Sequence, residues 1–172
     1  MAQKIVNTKL AFGVEGEFYD SSIKRATNRK LAAAARFGKA LFFVAANGTV
    51  TPTYNADTAK TFAGIMVNPK EHINASAGLA STLELGAGKT AGVADVGRVI
   101  VKVANAVKVG YKAFTCVTAG TGSSKNYAIG DIVGGATAAP SSSAAAGGVF
   151  VEIGSFDIVD AAADELAVVV LG

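Results

Sequence analysis

Short β-branched runs that alternate along the chain and stop at glycine-rich turns constrain this sequence more than any other feature. The clearest is GRVIVKVANAVKVGYKAFTCVTAG, where Val99, Val101 and Val103 fall on one side and Ile100 and Lys102 on the other. A period of two is strand geometry, because successive side chains leave a pleated backbone on opposite faces. The run turns near Asn105, resumes over Val107 to Val109 and Gly110, and continues to Val117. LFFVAANGTVTPTY places Asn47-Gly48 between two strand-like runs, a hairpin signature. FAGIMV (Phe62 to Val67) is stopped by Asn68-Pro69, and GGVFVEIGSF sets Val149, Val151 and Ile153 on one side. Many short strands at such spacing imply a mainly β fold, a small sandwich or barrel with long glycine/alanine-rich loops.

Three stretches read differently. SSIKRATNRKLAAAARF admits a helix capped by Ser21 or Ser22 and carried by four alanines, or an extended basic strand, and its residues alone leave both open. DAAADELAVVVLG starts as a helical turn at Asp160, then becomes a β-branched terminal strand that has to be paired, since a bare apolar edge invites aggregation. TAGTGSSKNYAIGD and GGATAAPSSSAAAGG read as loops, the second (134–148) as a flexible one.

At 172 residues the chain reads as one domain, 1–172, and a domain of this length buries roughly 70% of its unfolded surface. Its 34 alanines and 20 glycines let backbones approach closely, which suits sheet packing and subunit contact better than a pocket lined by aromatics. Cys116, the one cysteine, lies among apolar neighbours and reads as a small buried hydrophobe. The sequence shows no secretory signal and no apolar run near the ~20 residues of a membrane helix, so the expectation is a soluble product with no membrane partner. Charge is segregated: residues 1–40 form a basic N-terminal segment with eight bases against three acids, a balance of +5. The window from Glu152 to Glu165 holds five acids and no base.

LELGAGKTAG invites comparison with a phosphate-binding loop. A Walker-type loop needs a glycine five residues before Gly88, and that position is Leu83. Gly86, Gly88 and Ala91 match the looser dinucleotide fingerprint, but a β pattern follows where a helix is required, and Ala106 to Tyr111 contain no acid. The stretch reads as a turn around an exposed Lys89. His72, the one histidine, reads as a solvated loop residue, and one histidine with one cysteine is a poor zinc set. No catalytic residue, cofactor or metal is expected. IKRATNRK has phosphate-neutralising residues in Lys24, Arg25, Arg29 and Lys30, yet lacks interleaved aromatics for base stacking. It therefore reads as a basic face for a protein partner, with no specific nucleic-acid target.

Several pieces, in order, resemble the cement or decoration proteins of tailed bacteriophage capsids. GVEGEFYDSS (Gly13 to Ser22) resembles that family's glycine-spaced opening, ARFGKALFF its Phe-Gly-basic-apolar strand, and FAGIMV its Phe-Ala-Gly-Ile run. VGRVIVKVANAVKVGYKAF resembles its Gly-strand-turn hairpin and GGVFVEI its closing strand. The resemblance implies an extended N-terminal region in place of a helix, and a structural virion protein without catalysis. Such a protein binds the capsid exterior and cements neighbouring major capsid protein subunits against internal DNA pressure. It implies homo-oligomers and synthesis in the bacterial host cytoplasm, and the charge of Lys24, Arg25, Arg29 and Lys30 makes these four the expected contacts with acidic capsid surface or with the acidic C-terminal part of a neighbouring copy. A tail-tube or head-fibre subunit, or a nucleic-acid-binding accessory protein, is the alternative.

Overall fold

The computed structural model describes residues 13–44, 48–54, 62–68, 84–118, 127–138, 149–158 and 160–172. Among these there is no helix. Eleven strands follow in chain order: β1 (Arg25–Lys30), β2 (Ala35–Arg36), β3 (Ala40–Phe43), β4 (Val50–Thr51), β5 (Phe62–Val67), β6 (Glu84–Leu85), β7 (Thr90–Lys102), β8 (Lys112–Thr118), β9 (Ile132–Gly135), β10 (Val149–Asp157) and β11 (Leu166–Leu171). Nine of them form one antiparallel sheet in the order β4-β3-β5-β7-β11-β10-β8-β9, with β1 on the other side of β7, and β2 pairs with β6 separately. The sequence SSIKRATNRKLAAAARF is thus extended, as β1 and β2, and its four alanines form no helix.

β7 organises the molecule. Its first half pairs with β5 through Ile65↔Ala94 to Val67↔Gly92, and its second half pairs with β11 through Leu171↔Gly97 to Leu166↔Lys102. On its other side β1 runs from Lys30↔Thr90 to Arg25↔Val96, and the chain before β1 adds a bridge at Phe18↔Val99. Because one strand changes neighbours halfway, the two parts of the sheet turn over each other and trap a core. Ile65, Val67 and Ala94 from one part cluster with Val99, Val101, Ile153, Phe156 and Val169 from the other. Ala40 and Phe42 meet Val117 of β8 in the same way. Phe42 is fully buried and meets Tyr54 and Phe62 edge to face at 5.3 and 6.2 Å. Burying such a side chain contributes about 1.5–3 kcal/mol.

The β3-β5-β7 part is covered on its second face as well. Leu31, Ala35 and Phe37 lie over Leu41, Val50, Ala63, Met66, Ala91 and Val93. This explains why FAGIMV reads as a continuous apolar run, for a strand buried on both faces loses its alternation. Gly64 in β5 has φ +139°, and a Cβ there would sit 2.1 Å from the Ala94 carbonyl oxygen. Gly154 in β10 has φ +156° and the same 2.1 Å relation to the Val170 carbonyl oxygen, where the β10 register slips between Glu152 and Gly154.

Three expectations need correction. Among the described residues the sheet does not close into a barrel: two isolated parallel bridges, Val103↔Ile132 from the end of β7 to β9 and Leu31↔Val50 from the end of β1 to β4, stand where ladders would be needed. The run from Val99 to Val117 is not a hairpin, since β11 and β10 lie between β7 and β8. Its middle has other partners. Val107 exchanges backbone hydrogen bonds with Ala161 at 2.8 and 3.1 Å, and the Asn105 side-chain amide both donates to and accepts from the Gly134 backbone at 2.9 Å. Those contacts also replace the helical turn expected at Asp160, where Ala161 forms a β-bridge. Gly134 and Gly135 end β9, and residues 139–148 of the expected loop 134–148 lie outside the described residues. The terminal LAVVVLG is a strand, and β11 sits inside the sheet between β7 and β10.

Candidate functional site

β1 is unlike every other strand of the sheet. All its residues are exposed except Arg29, which is half-buried, so it contributes almost nothing to either core face. RATNRK has no apolar stripe to bury, and the strand is held to β7 by its ladder and a few side-chain contacts. Arg25 grips Asp95 of β7, donating from Nε at 2.9 and 3.1 Å and from Nη2 at 2.8 Å. Those hydrogen bonds hold the Asp95 carboxyl below the usual carboxylate range and raise the Arg25 guanidinium. The Arg29 guanidinium lies 5.1 Å from the centre of the Phe43 ring, and the Lys24 ammonium 5.2 Å from that of Phe18. Lys30 has no ion-pair partner among the described residues, and it stands beside the turn that carries Lys89.

The four sequence-predicted residues, Lys24, Arg25, Arg29 and Lys30, are thus brought together on one exposed strand and the residue before it. Sequence reasoning missed that Arg25 is committed to Asp95, a partner 70 residues away. Ile23, just before this strip, is 87% exposed, the most exposed large apolar residue described.

The acids of the C-terminal window are engaged within the chain. Glu152 pairs with Lys112 at 2.9 Å, Asp157 with Arg98 at 3.1 Å and Asp164 with Lys102 at 3.2 Å. Asp160 accepts from the Val109 N–H at 2.8 Å, and Glu165 from the Ala162 N–H at 3.0 Å. Arg98 also reaches Asp20 at 3.0 Å, tying the segment before β1 to β10. Asp20 is held low first by its hydrogen bond from the Ser22 hydroxyl, then by the Ser22 N–H and Arg98. The sequence-level segregation of charge is therefore partly cancelled in three dimensions, and the basic strip is what stays open.

The GAGKT stretch is the turn between β6 and β7. The Gly88 N–H donates to the Leu31 carbonyl at 2.8 Å and the Lys89 N–H to the Gly86 carbonyl at 3.4 Å, so these amides face the protein's own backbone. His72 lies outside the described residues. A polar cleft of about 200 Å³ does exist elsewhere, lined by Glu15, Arg36, Lys39, Lys102, Asp131 and Asp164. Its three bases face three acids, with Lys39 and Asp131 at 3.1 Å. Glu15 is buried there against Gly38, and desolvation pushes its carboxyl up despite Lys39, Arg36 and Lys102. Such self-neutralised charge pins the segment before β1 to the sheet. Cys116 is fully buried, and desolvation pushes its thiol up, away from the thiolate that reacts. Among the described residues no group of three metal-ligating side chains converges.

A family model described as structural cement protein (E217 gp24/Pam3 gp6) matches residues 1–172. Among solved structures, a chain of the capsid of Myoviridae phage XM1 has a TM-score of 0.60 at 17% identity, over 99% of this chain and 97% of that one. It shares the fold. The head fibre gp8.5 N base of bacteriophage phi29 has a TM-score of 0.45 at 14% identity, over 87% of this chain and 95% of that one. No curated protein matches. The chain, whose described residues form only strands and loops and present an exposed basic strand, is matched along its whole length and belongs to the phage structural cement protein family, virion components with a capsid-stabilising structural role.

Proposed function

We propose that this chain binds the outer surface of the phage shell and joins neighbouring major capsid protein subunits, acting by binding and without catalysis. Parting two subunits against the outward push of packaged DNA then also requires breaking the contacts of the bridging protein. Many copies repeat that gain over the shell, and copies of this chain associate with one another as well. The observation that carries the reading is β1: a strand exposed on both faces, with Lys24, Arg25, Arg29 and Lys30 along it, in a fold whose other charges are largely paired internally. Those four residues are the proposed contacts with acidic capsid surface.

The test is co-sedimentation of the full chain with shells assembled from the major capsid protein. Lys24→Glu with Lys30→Glu is the informative variant, because it spares the Arg25–Asp95 pair, and an unchanged melting temperature shows that losing the Lys24 contact with Phe18 leaves the fold intact. Losing complementary charge at an interface is expected to weaken occupancy about tenfold or more, and wild-type binding is expected to weaken with salt. Wild-type occupancy by the double variant rejects the placement. A salt-sensitive shift of naked DNA without shell binding favours a nucleic-acid-binding accessory instead.

A further inference from the structure

The sheet covers its edges at both ends, but it leaves β1 open except at its Lys30 end. At β4, Leu31 bridges Val50 and the Ala32 N–H donates to the Val50 carbonyl at 2.8 Å. At β9, Val103 bridges Ile132, the Ala104 N–H donates to the Ile132 carbonyl at 2.8 Å, and Asn105 occupies the Gly134 backbone. β1 pairs with β7 on one side only. The Leu31 N–H donates to the Lys89 carbonyl, and the ladder is unbroken from Lys30↔Thr90 to Ala26↔Ala94. By the alternation of an antiparallel ladder, the N–H and C=O of Ala26, Asn28 and Lys30 therefore point away from β7. The Leu31↔Val50 bridge takes up the Lys30 carbonyl, with the Val50 N–H as donor; among the described residues nothing pairs with the other five groups. Unpaired backbone groups in a row are a template for another strand, and proteins ordinarily cover or blunt such an edge.

We infer that β1 takes up an extended, acidic segment of a capsid subunit by strand addition, with Ala26 and Asn28 as backbone donors and acceptors and the Lys30 N–H as a further donor. This rests on the capsid-binding reading and names the contact within it. Backbone bonds supply the register and the flanking cations supply the choice of partner, as in other edge-strand docking. The charge pattern decides against a second copy as the occupant. An antiparallel pair of β1 strands in the fully overlapping register sets Lys24 opposite Lys30 and Arg25 opposite Arg29, and like charges directly across a sheet repel. A strand carrying Asp or Glu at those positions meets the same four cations favourably.

Residue-resolved hydrogen exchange on the full chain, free and bound to shells assembled from the major capsid protein, tests this. In the free protein the Ala26, Asn28 and Lys30 amides are expected to exchange faster than those of Thr27 and Arg29. On shells they should slow at least about tenfold, as newly paired amides do. Bound protein with those three amides still fast overturns strand addition while leaving the capsid reading intact, whereas failure to bind shells removes both. Slow exchange in free protein at every concentration means the edge is already covered, and slowing only at high concentration without shells means a second copy is the occupant; each overturns the inference. Asn28→Pro deletes one outward N–H and no β7 hydrogen bond, so it is expected to lose shell binding, and wild-type occupancy would also overturn the inference. Should that variant misfold, the exchange measurement on the wild type decides alone.

Discussion

Arg25 and Asp95 are joined by three hydrogen bonds across the point where β1 slips register against β7, between Arg25 and Ala26. A planar guanidinium gripping a carboxylate in this way fixes direction as well as distance. With no apolar side chain of β1 buried, the pair is the firmest side-chain anchor this strand has.

Asp95→Asn removes that anchor's charge. Both partners are largely solvated, so global stability is expected to move little, as for exposed ion pairs generally. Exchange of the β1 amides bonded to β7 should nonetheless accelerate several-fold, because the strand opens locally without the rest of the sheet. A melting temperature that falls sharply together with exchange throughout the sheet would contradict this local role.

Glycines in this chain separate into those the fold demands and those it ignores. Gly64→Ala forces a Cβ to within 2.1 Å of the Ala94 carbonyl oxygen at a φ that L residues rarely adopt. The expected cost is about 3 kcal/mol, combining backbone strain and overpacking. At this chain length that corresponds to a drop of roughly 10 °C in melting temperature. A Cβ added at Gly86 would meet nothing within 4 Å, and Gly86→Ala is expected to change stability by less than about 0.5 kcal/mol. Thermal unfolding of the two variants checks both, and shell binding by Gly86→Ala should match wild type, which a phosphate-cradling role for that glycine would not allow.

Glu15 sets a pH dependence of unusual sign. Its folded carboxyl titrates above its ordinary 4.5 because burial disfavours the anion. The folded state therefore holds this proton more tightly than the unfolded chain, and stability falls as pH rises from 4.5 through the raised value. Glu15→Gln should flatten that limb in denaturant unfolding measured across the window. Asp20 and Asp95 act oppositely: held below 3.8, they contribute stability at higher pH that is lost as pH falls through their lowered values. An unchanged slope in Glu15→Gln would mean that Lys39, Arg36 and Lys102 fully offset the burial.

Strand positions were largely readable because alternation is local. Phe62 to Val67 is β5 to the residue, and the Val99 face of β7 is buried as its pattern demands. Gly86 to Lys89 forms the turn that the failed phosphate fingerprint left as the alternative. Pairing was not readable. Nothing in Val99–Val117 says that Leu166–Leu171 will insert beside β7, since a period of two fixes which face is buried and not which strand lies alongside. The basic strip could be located from Lys24, Arg25, Arg29 and Lys30, but the capture of Arg25 by Asp95 and the burial of Glu15 against Gly38 depend on contacts distant in sequence. Such contacts leave no periodic trace.

The position of β11 bears on when this protein becomes competent to act. Residues 166–171 supply the strand between β7 and β10, so the two parts of the sheet share no backbone ladder there until translation has passed residue 165. A ribosome-bound chain offers β1 and β7 early but lacks the piece that locks them over the other half. The β7–β11 ladder joins residues more than 60 positions apart, and pairings of that range close slowly as a rule.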